Sequence, residues 1–308
     1  IPDGIRVIDK NYNVIMANSA FHSMLKLKKT CVGQKCYKAY NPHCDGCPQR
    51  QYACPVKELL LNSANMPEHF HTIIEHSHGA IRRWSSAPEV PGVIELGPRL
   101  LELGILPSIA HSNADYEIAK KAYDYGYHHL THFYSGMSTI HRKNGYRILG
   151  VVESGYLLDD MDIELICDGI HLPPDRLKMI FKLKDHEHIT LVTDSMRAAG
   201  MPEGPTVLGS LKYNFQCIAE DGVAKVLDRS CFAGSTATAD RMIRVLVKQL
   251  QMPVWNAIRF MTQNPAKLYH IFDKTGSLRE GKAADLLIFD SDIQIKQVYV
   301  DGNPVFDL

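Results

Sequence analysis

The chain has 308 residues, enough for one large domain with a small one or for two of medium size. Hydrophobic residues make up 45% and charged residues 22%, the proportions of a globular protein rather than a disordered or fibrous one. Lys+Arg and Asp+Glu balance at 34 each, which argues against a nucleic-acid binder, and no apolar run approaches the roughly 18 to 20 residues needed to cross a bilayer.

The opening IPDGIRVIDK does not read as a signal peptide, and it lacks an initiating Met, so residue 1 could be the start of a fragment with an upstream segment, targeting or otherwise, missing. Ile5, Val7, Val14 and Ile15 supply strand positions on either side of a polar turn at residues 9–13, and Asn18-Ser19 can cap a helix carrying Phe21, Met24 and Leu25. Five of the eight cysteines follow within the first 54 residues. Cys36, Cys44, Cys47 and Cys54 include one Cys-x-x-Cys pair and could hold a structural metal, form disulfides or sense redox state, or stay unligated. Cys167, Cys217 and Cys231 lie among apolar neighbours and are expected to be buried thiols in a reduced cytoplasm.

The stretch HFHTIIEHSHG reads as a strand, on which His76 and His78 would face the same way and could share a metal. From about residue 85 the character changes to a succession of strands and helices. ILPSIA, HHLTHF, DIELICD and HITLVTD read as strands; DYEIAKKAYDYG, DRLKMIFKL, TADRMIRVLVKQL and PVWNAIRFMTQNPAKLY read as helices. In a (β/α) barrel such strand tails gather the active site. KAADLLIFDSDIQIKQVYVDGNPVF then gives short strands with an Asp-Gly turn at 301–302. The domains expected are 1–84, 85–275 and 276–308. On the strand tails sit His111, His132, His171 and Asp194. Imidazoles from neighbouring strands suit Zn²⁺, and a nearby carboxylate can take a proton from an activated water.

Two resemblances follow from these motifs. Residues 2–84 resemble a PAS sensory domain of cysteine-rich type, in which HFHTIIEHSHG would be a late strand. IIEHSHG also resembles the first barrel strand of amidohydrolases. Residues 86–306 resemble the N-acetylglucosamine-6-phosphate deacetylase family of the amidohydrolase superfamily, through APE at 87–89, AHSNA at 110–114, THFYSGM at 131–137, HR at 141–142, DGIHLPP at 168–174, LVTDSMRAAGMPEG at 191–204, CFAGST at 231–236 and NPAKLYHIFDKTGSLREGKAADLLIF at 264–289. The resemblance implies an α/β fold: a partial metal-dependent-hydrolase (β/α) barrel, with a small C-terminal β-domain and an α+β PAS-like N-terminal domain. By motif, it makes His111 and His132 metal ligands, with His76 or His78 as additional ones, and Asp194 the catalytic base and acid. His171, Phe232, Ala233 and Gly234 would meet the sugar, and Ser135, Gly136 and Arg142 its phosphate. A divalent metal, Zn²⁺ foremost, a homodimer, a cytoplasmic setting and no nucleic-acid or membrane partner are implied with it. The alternative is a non-catalytic sensor built on a degenerate deacetylase-like domain.

Three departures stand against full correspondence. The family pattern Asn-Ala-Met is Ser135-Gly136-Met137 here, and Arg-x-Pro-Gly is Arg142-Lys143-Asn144-Gly145. No His-x-Glu-Gly-Pro segment supplies the family's metal-binding glutamate; Glu89 belongs to the later APE motif. About three barrel units are also lacking, so a second chain, a lost segment or a shuffled fusion is expected to account for them.

Overall fold

The structure is a computed structural model, and it describes residues 6–8, 14–17, 68–209 and 215–307. The cysteine cluster Cys36, Cys44, Cys47 and Cys54 and the expected helix after Ser19 lie outside the described residues. The chain divides into two units, Ile1–Gly79 with Val207–Gln216, and Ala80–Thr206 with Cys217–Leu308.

In the first unit, β1 (Arg6–Ile8) pairs antiparallel with β2 (Val14–Ala17), in the register Arg6 opposite Ala17. The strand expected around His76 is instead a helix, α1 (Glu68–His76). Phe70, Ile73 and Ile74 stand at helical spacing on one face, and this pattern prevails over the short alternation read from the sequence. Ser77 closes the helix by donating from its hydroxyl to the Ile74 carbonyl at 2.6 Å. His78 (φ 48°) and Gly79 (φ 77°) then leave it in left-handed backbone. His76 ends the helix and His78 lies beyond it, both exposed, so the same-face argument for a strand does not apply to them.

The second unit is built on a parallel sheet. In chain order it runs β3 (Arg83–Ser86), α2 (Val93–Glu102), β4 (Leu106–Ile109), α3 (Tyr116–Asp124), β5 (His129–Leu130), a hairpin of β6 (His141–Lys143) and β7 (Tyr146–Ile148), α4 (Val151–Leu157), β8 (Asp162–Leu165), α5 (Pro174–Leu183) and β9 (Ile189–Leu191). The sheet order is β3-β4-β5-β8-β9 with every neighbour parallel. Its two faces differ. Ile109, Leu130, Ile163, Leu165, Ile189 and Leu191 join the apolar core with Val93, Ala119, Val151, Leu177 and Ile180 of the helices. The other face carries Ser85, Ser108, His129, Thr131, Glu164 and Thr190, joined in part by hydroxyl bonds: Ser108 to Thr131 at 2.6 Å and Ser85 to Thr131 at 3.0 Å. Five strands make a partial barrel rather than the eight of a closed one, and among the described residues neither β3 nor β9 has a second strand beside it.

Next come β10 (Gly204–Leu208), β11 (Phe215–Glu220), β12 (Val223–Val226) and β13 (Phe232–Ser235), of which β11, β12 and β13 pair antiparallel in succession. Cys231 sits in the exposed β12–β13 turn, unlike the buried Cys167 and Cys217; the burial expected for all three holds for two. Helix α6 (Ala239–Arg244) continues into a wide π-turn at Val245–Gln249. The single helix expected over 253–269 is two, α7 (Val254–Arg259) and α8 (Gln263–Leu268). Pro265 cannot donate to the carbonyl four residues before it, so the chain breaks at Thr262 (φ −126°) and restarts with the proline in a first turn, where no donor is needed. The C-terminal sheet β14 (Leu286–Phe289), β15 (Ile295–Val300) and β16 (Asn303–Asp307) is antiparallel. Its last turn is Asp301-Gly302, both at positive φ (49° and 76°), as a two-residue hairpin requires.

Candidate functional site

Three chain tails at the C-terminal edge of the parallel sheet carry the chemistry-bearing residues. His111 follows β4, His132 follows β5 and Asp194 follows β9. All three hold left-handed backbone, with φ of 46°, 36° and 48°. A non-glycine residue there costs about 1 to 3 kcal/mol and persists where its surroundings over-determine it. Those surroundings are visible. The N–H of His132 donates to Glu164 Oε2 at 3.4 Å, and that of Phe133 to the Glu164 carbonyl at 2.7 Å. Glu89 accepts from the Ser112 hydroxyl and the Asn113 N–H, each at 2.7 Å, and so fixes the loop behind His111. Asp194 is tied through its carbonyl, which accepts from Ser235 N–H at 3.0 Å.

His111 and His132 bring their Nε2 atoms to 3.0 Å, with ring planes 80° apart. Burial lowers the basicity of His132, the neighbouring His111 lowers it further, and Asp194 opposes both. A neutral imidazole presents a lone pair, and two nitrogens at this separation match the roughly 3.3 Å edge that Zn–N bonds of about 2.0 Å give in a tetrahedral site. His132 Nδ1 is buried with no hydrogen-bond partner, the position from which a ligating histidine ordinarily donates to an outer acceptor. The pair therefore fits a divalent ion as far as two ligands. Among the described residues no group of three or more His, Cys, Asp or Glu side chains converges as a metal site. Gly136 (φ 62°) lies against this pair rather than apart from it: a Cβ there would stand 2.7 Å from His111 Nδ1.

A second cluster adjoins Asp194. His171 Nδ1 meets Asp168 Oδ2 at 2.8 Å, and Asp168 Oδ1 accepts the N–H of Ile170 and of His171. These bonds hold the Asp168 carboxyl below its usual range against the opposing effect of burial, which is the largest single influence. The ring of His171 lies 4.8 Å from that of Phe232, the first residue of β13, while Gly234 passes beside Asp194 and Met196. Phe232 is exposed and Ala233 buried. Ser135 donates its N–H to the His132 carbonyl at 2.9 Å, whereas Arg142 stands on the exposed β6–β7 hairpin.

Sequence reasoning missed Asp168 and a buried charge network, and named Glu89 only as part of the APE motif. Arg83 pairs with Glu164, whose carboxyl burial pushes upward and Arg83 draws down. His129 is wholly buried beside them, its Nδ1 2.7 Å from the Ser108 hydroxyl and its Nε2 3.8 Å from Glu164 Oε1. Desolvation, with the charge of Arg83 added, depresses its pKa to about 3. The signal available was a Glu inside the apolar strand DIELIC and a third histidine beside THF.

The amidohydrolase family model matches residues 102–305, and the PAS domain model matches residues 1–57. N-acetylglucosamine-6-phosphate deacetylase of Vibrio furnissii is 32% identical over 234 residues, covering 76% of this chain and 56% of that protein. The Bacillus subtilis (strain 168) enzyme of the same name is 33% identical, covering 75% and 56%. Among solved structures, N-acetyl-D-glucosamine-6-phosphate deacetylase from Mycobacterium smegmatis in complex with N-acetyl-D-glucosamine-6-phosphate superposes with a TM-score of 0.71 at 28% identity, covering 78% of this chain and 62% of that one. The chain thus spans a little over half the length of the curated relatives it matches. With a family model matched over most of its length, the chain belongs to the amidohydrolase family.

Proposed function

We propose that the second unit hydrolyses the acetamide of an N-acetylated hexosamine 6-phosphate, releasing acetate and the amino sugar phosphate. The observation that carries this reading is the approach of His111 and His132 beside Asp194 at the C-terminal edge of the sheet. His111 and His132 would hold a divalent metal, Zn²⁺ by the chemistry of the donors, and the metal when bound polarises the acetamide carbonyl and acidifies water. Asp194, exposed beyond the end of β9, takes the proton of the attacking water and returns it to the leaving amine. His171, held by Asp168 through Nδ1, would offer Nε2 to the sugar, with the ring of Phe232 tilted against it at 4.8 Å. Phe232, Ala233 and Gly234 would flank the sugar, and Ser135 and Arg142 would lie toward its phosphate, while Gly136, expected there too, backs onto His111. The enzyme would act as a homodimer, and residues 1–57, which the PAS domain model matches, would form a PAS-type module.

The test is acetate release from N-acetylglucosamine 6-phosphate by the 308-residue chain with added Zn²⁺. Turnover falling at least about 100-fold in Asp194→Asn supports the reading. No turnover by folded, zinc-loaded protein overturns it and leaves the sensory alternative.

A further inference from the structure

Helix α6 carries two arginines with different partners. Arg244 pairs with Asp240 at 2.6 Å, whereas no carboxylate pairs with Arg241 among the described residues. The Arg241 guanidinium, half-buried, donates instead to two backbone carbonyls, from Nη1 to Gly222 at 2.8 Å and from Nη2 to Asp168 at 3.3 Å. Asp168 opens the loop that leads to His171, and Gly222 lies at the tip of the β11–β12 hairpin. A planar fork with several fixed donors suits the bridging of two such acceptors, where the compact charge of a lysine suits one. Asp168 is thereby held at both ends: its carboxylate grips the His171 ring, and its carbonyl is gripped by Arg241.

The hairpin tip is closely set. Asp221 (φ 55°) and Gly222 (φ 73°) make a tight two-residue turn. The Gly222 N–H donates to Glu203 Oε1, and its carbonyl accepts the Thr236 hydroxyl besides Arg241, each at 2.8 Å. A Cβ on Gly222 would stand 3.1 Å from Arg241 Nη2 and 3.4 Å from Ile170 Cδ1, so the tip is pressed between the arginine and the His171 loop. From the tip the register runs on to β13, with Val223 opposite Ser235 and Lys225 opposite Phe232. Phe232 is exposed, while the His171 side chain against which it tilts is only 7% exposed. Where the tip sits therefore decides how Phe232 meets the imidazole.

We propose that Arg241 is a positioning residue: it ties the β11–β12 tip to the His171 loop and so presets the His171–Phe232 pair as a platform for the ligand. That this ligand is an amino sugar phosphate rests on the deacetylase reading. The experiment follows the His171 Cε1–H resonance of the full chain by NMR, identified by its loss in His171→Gln. Phe232→Leu supplies its position without the phenyl ring current. In Arg241→Met the resonance should move at least halfway from the native position to that of Phe232→Leu, with Arg241→Lys between. Calorimetry with glucosamine 6-phosphate should show affinity about 10-fold lower in Arg241→Met. Zn²⁺ affinity should stay within twofold of native, and Arg244→Met should leave the resonance in place. An unmoved resonance in Arg241→Met overturns the proposal. So does a moved resonance with sugar phosphate affinity within twofold of native, or a parallel fall in Zn²⁺ affinity, which would mark a general loosening. Circular dichroism checks the fold; should Arg241→Met fail to fold, Arg241→Lys is read by the same criteria. If the chain neither releases acetate nor binds glucosamine 6-phosphate while the resonance still follows Arg241, the deacetylase reading falls and the tie stands. Acetate release with a resonance indifferent to Arg241 gives the reverse.

Discussion

Replacing His129 by leucine tests the electrostatics beneath the candidate site. In the fold the imidazole is fully buried, its Nε2 has no hydrogen-bond partner, and its pKa is depressed to about 3 from an ordinary 6.5, by desolvation first and by the charge of Arg83 second. Between those values the unfolded chain binds a proton that the folded chain refuses, so stability falls as pH falls through this window and is fully present above it. For a single such group the loss between pH 7.5 and 5.5 is about 1.4 kcal/mol. That figure depends on the solution pKa alone as long as the buried ring stays neutral. Glu164 acts in the opposite sense, since burial lets it take a proton more readily in the fold, but it is present in both proteins and drops out of the difference. Leucine also forfeits the 2.7 Å bond to Ser108, an offset of about 1 kcal/mol that does not vary with pH. Ser108 keeps its partner Thr131 at 2.6 Å. Urea unfolding of both proteins at pH 7.5, 6.5 and 5.5 should show the native chain losing about 1.4 kcal/mol more than His129→Leu across the range. Parallel curves would mean that the buried imidazole is charged and paired with Glu164, and the argument would fail.

Two further outcomes follow from close contacts. Gly136→Ala places a methyl 2.7 Å from His111 Nδ1 on backbone at φ 62°, and should cost about 1 to 2 kcal/mol of stability and about tenfold in Zn²⁺ affinity, read by competition with a chelating dye; unchanged Zn²⁺ affinity would separate Gly136 from the metal pair. Asn264→Ala removes two bonds of 2.7 Å, to the carbonyls of His186 and Ile189 ahead of and within β9, at a buried position, and should destabilise by about 2 to 3 kcal/mol in urea unfolding. A loss under about 0.5 kcal/mol would show that water replaces the amide.

The parallel strands β4, β8 and β9 and helices α3 and α5 could be read from the chain because their apolar residues repeat at periods that burial demands, and each strand ends in a polar tail. The same tails put His111, His132 and Asp194 forward as candidates, since residues that follow parallel strands gather at one edge of the sheet, with His171 in the loop that follows β8. Local periodicity decided less where it was short. Ile73-Ile74 between histidines fits a strand or a helix equally, and the helix was settled by Phe70 three residues earlier and the Ser77 cap. Pro265 split one apparent helix into two because a lost backbone donor is tolerated only in a first turn.

What only the tertiary structure decided is where distant groups meet. Arg83 finds Glu164 across 81 residues, through two strands that are not neighbours in the sheet, and a charged residue inside a short strand is otherwise read as solvent-facing. The meeting of Arg241 with the Gly222 and Asp168 carbonyls depends on α6 closing against two separate loops, and the 3.0 Å approach of His111 to His132 on adjacent strands held in left-handed backbone. Sequence by itself put forward His111, His132, His171 and Asp194 as candidates, but not the acceptors Asp168, Glu164 and Glu89 that hold them and their loops. Their pairings and protonation follow from burial and distance, which arise only when the chain has closed on itself.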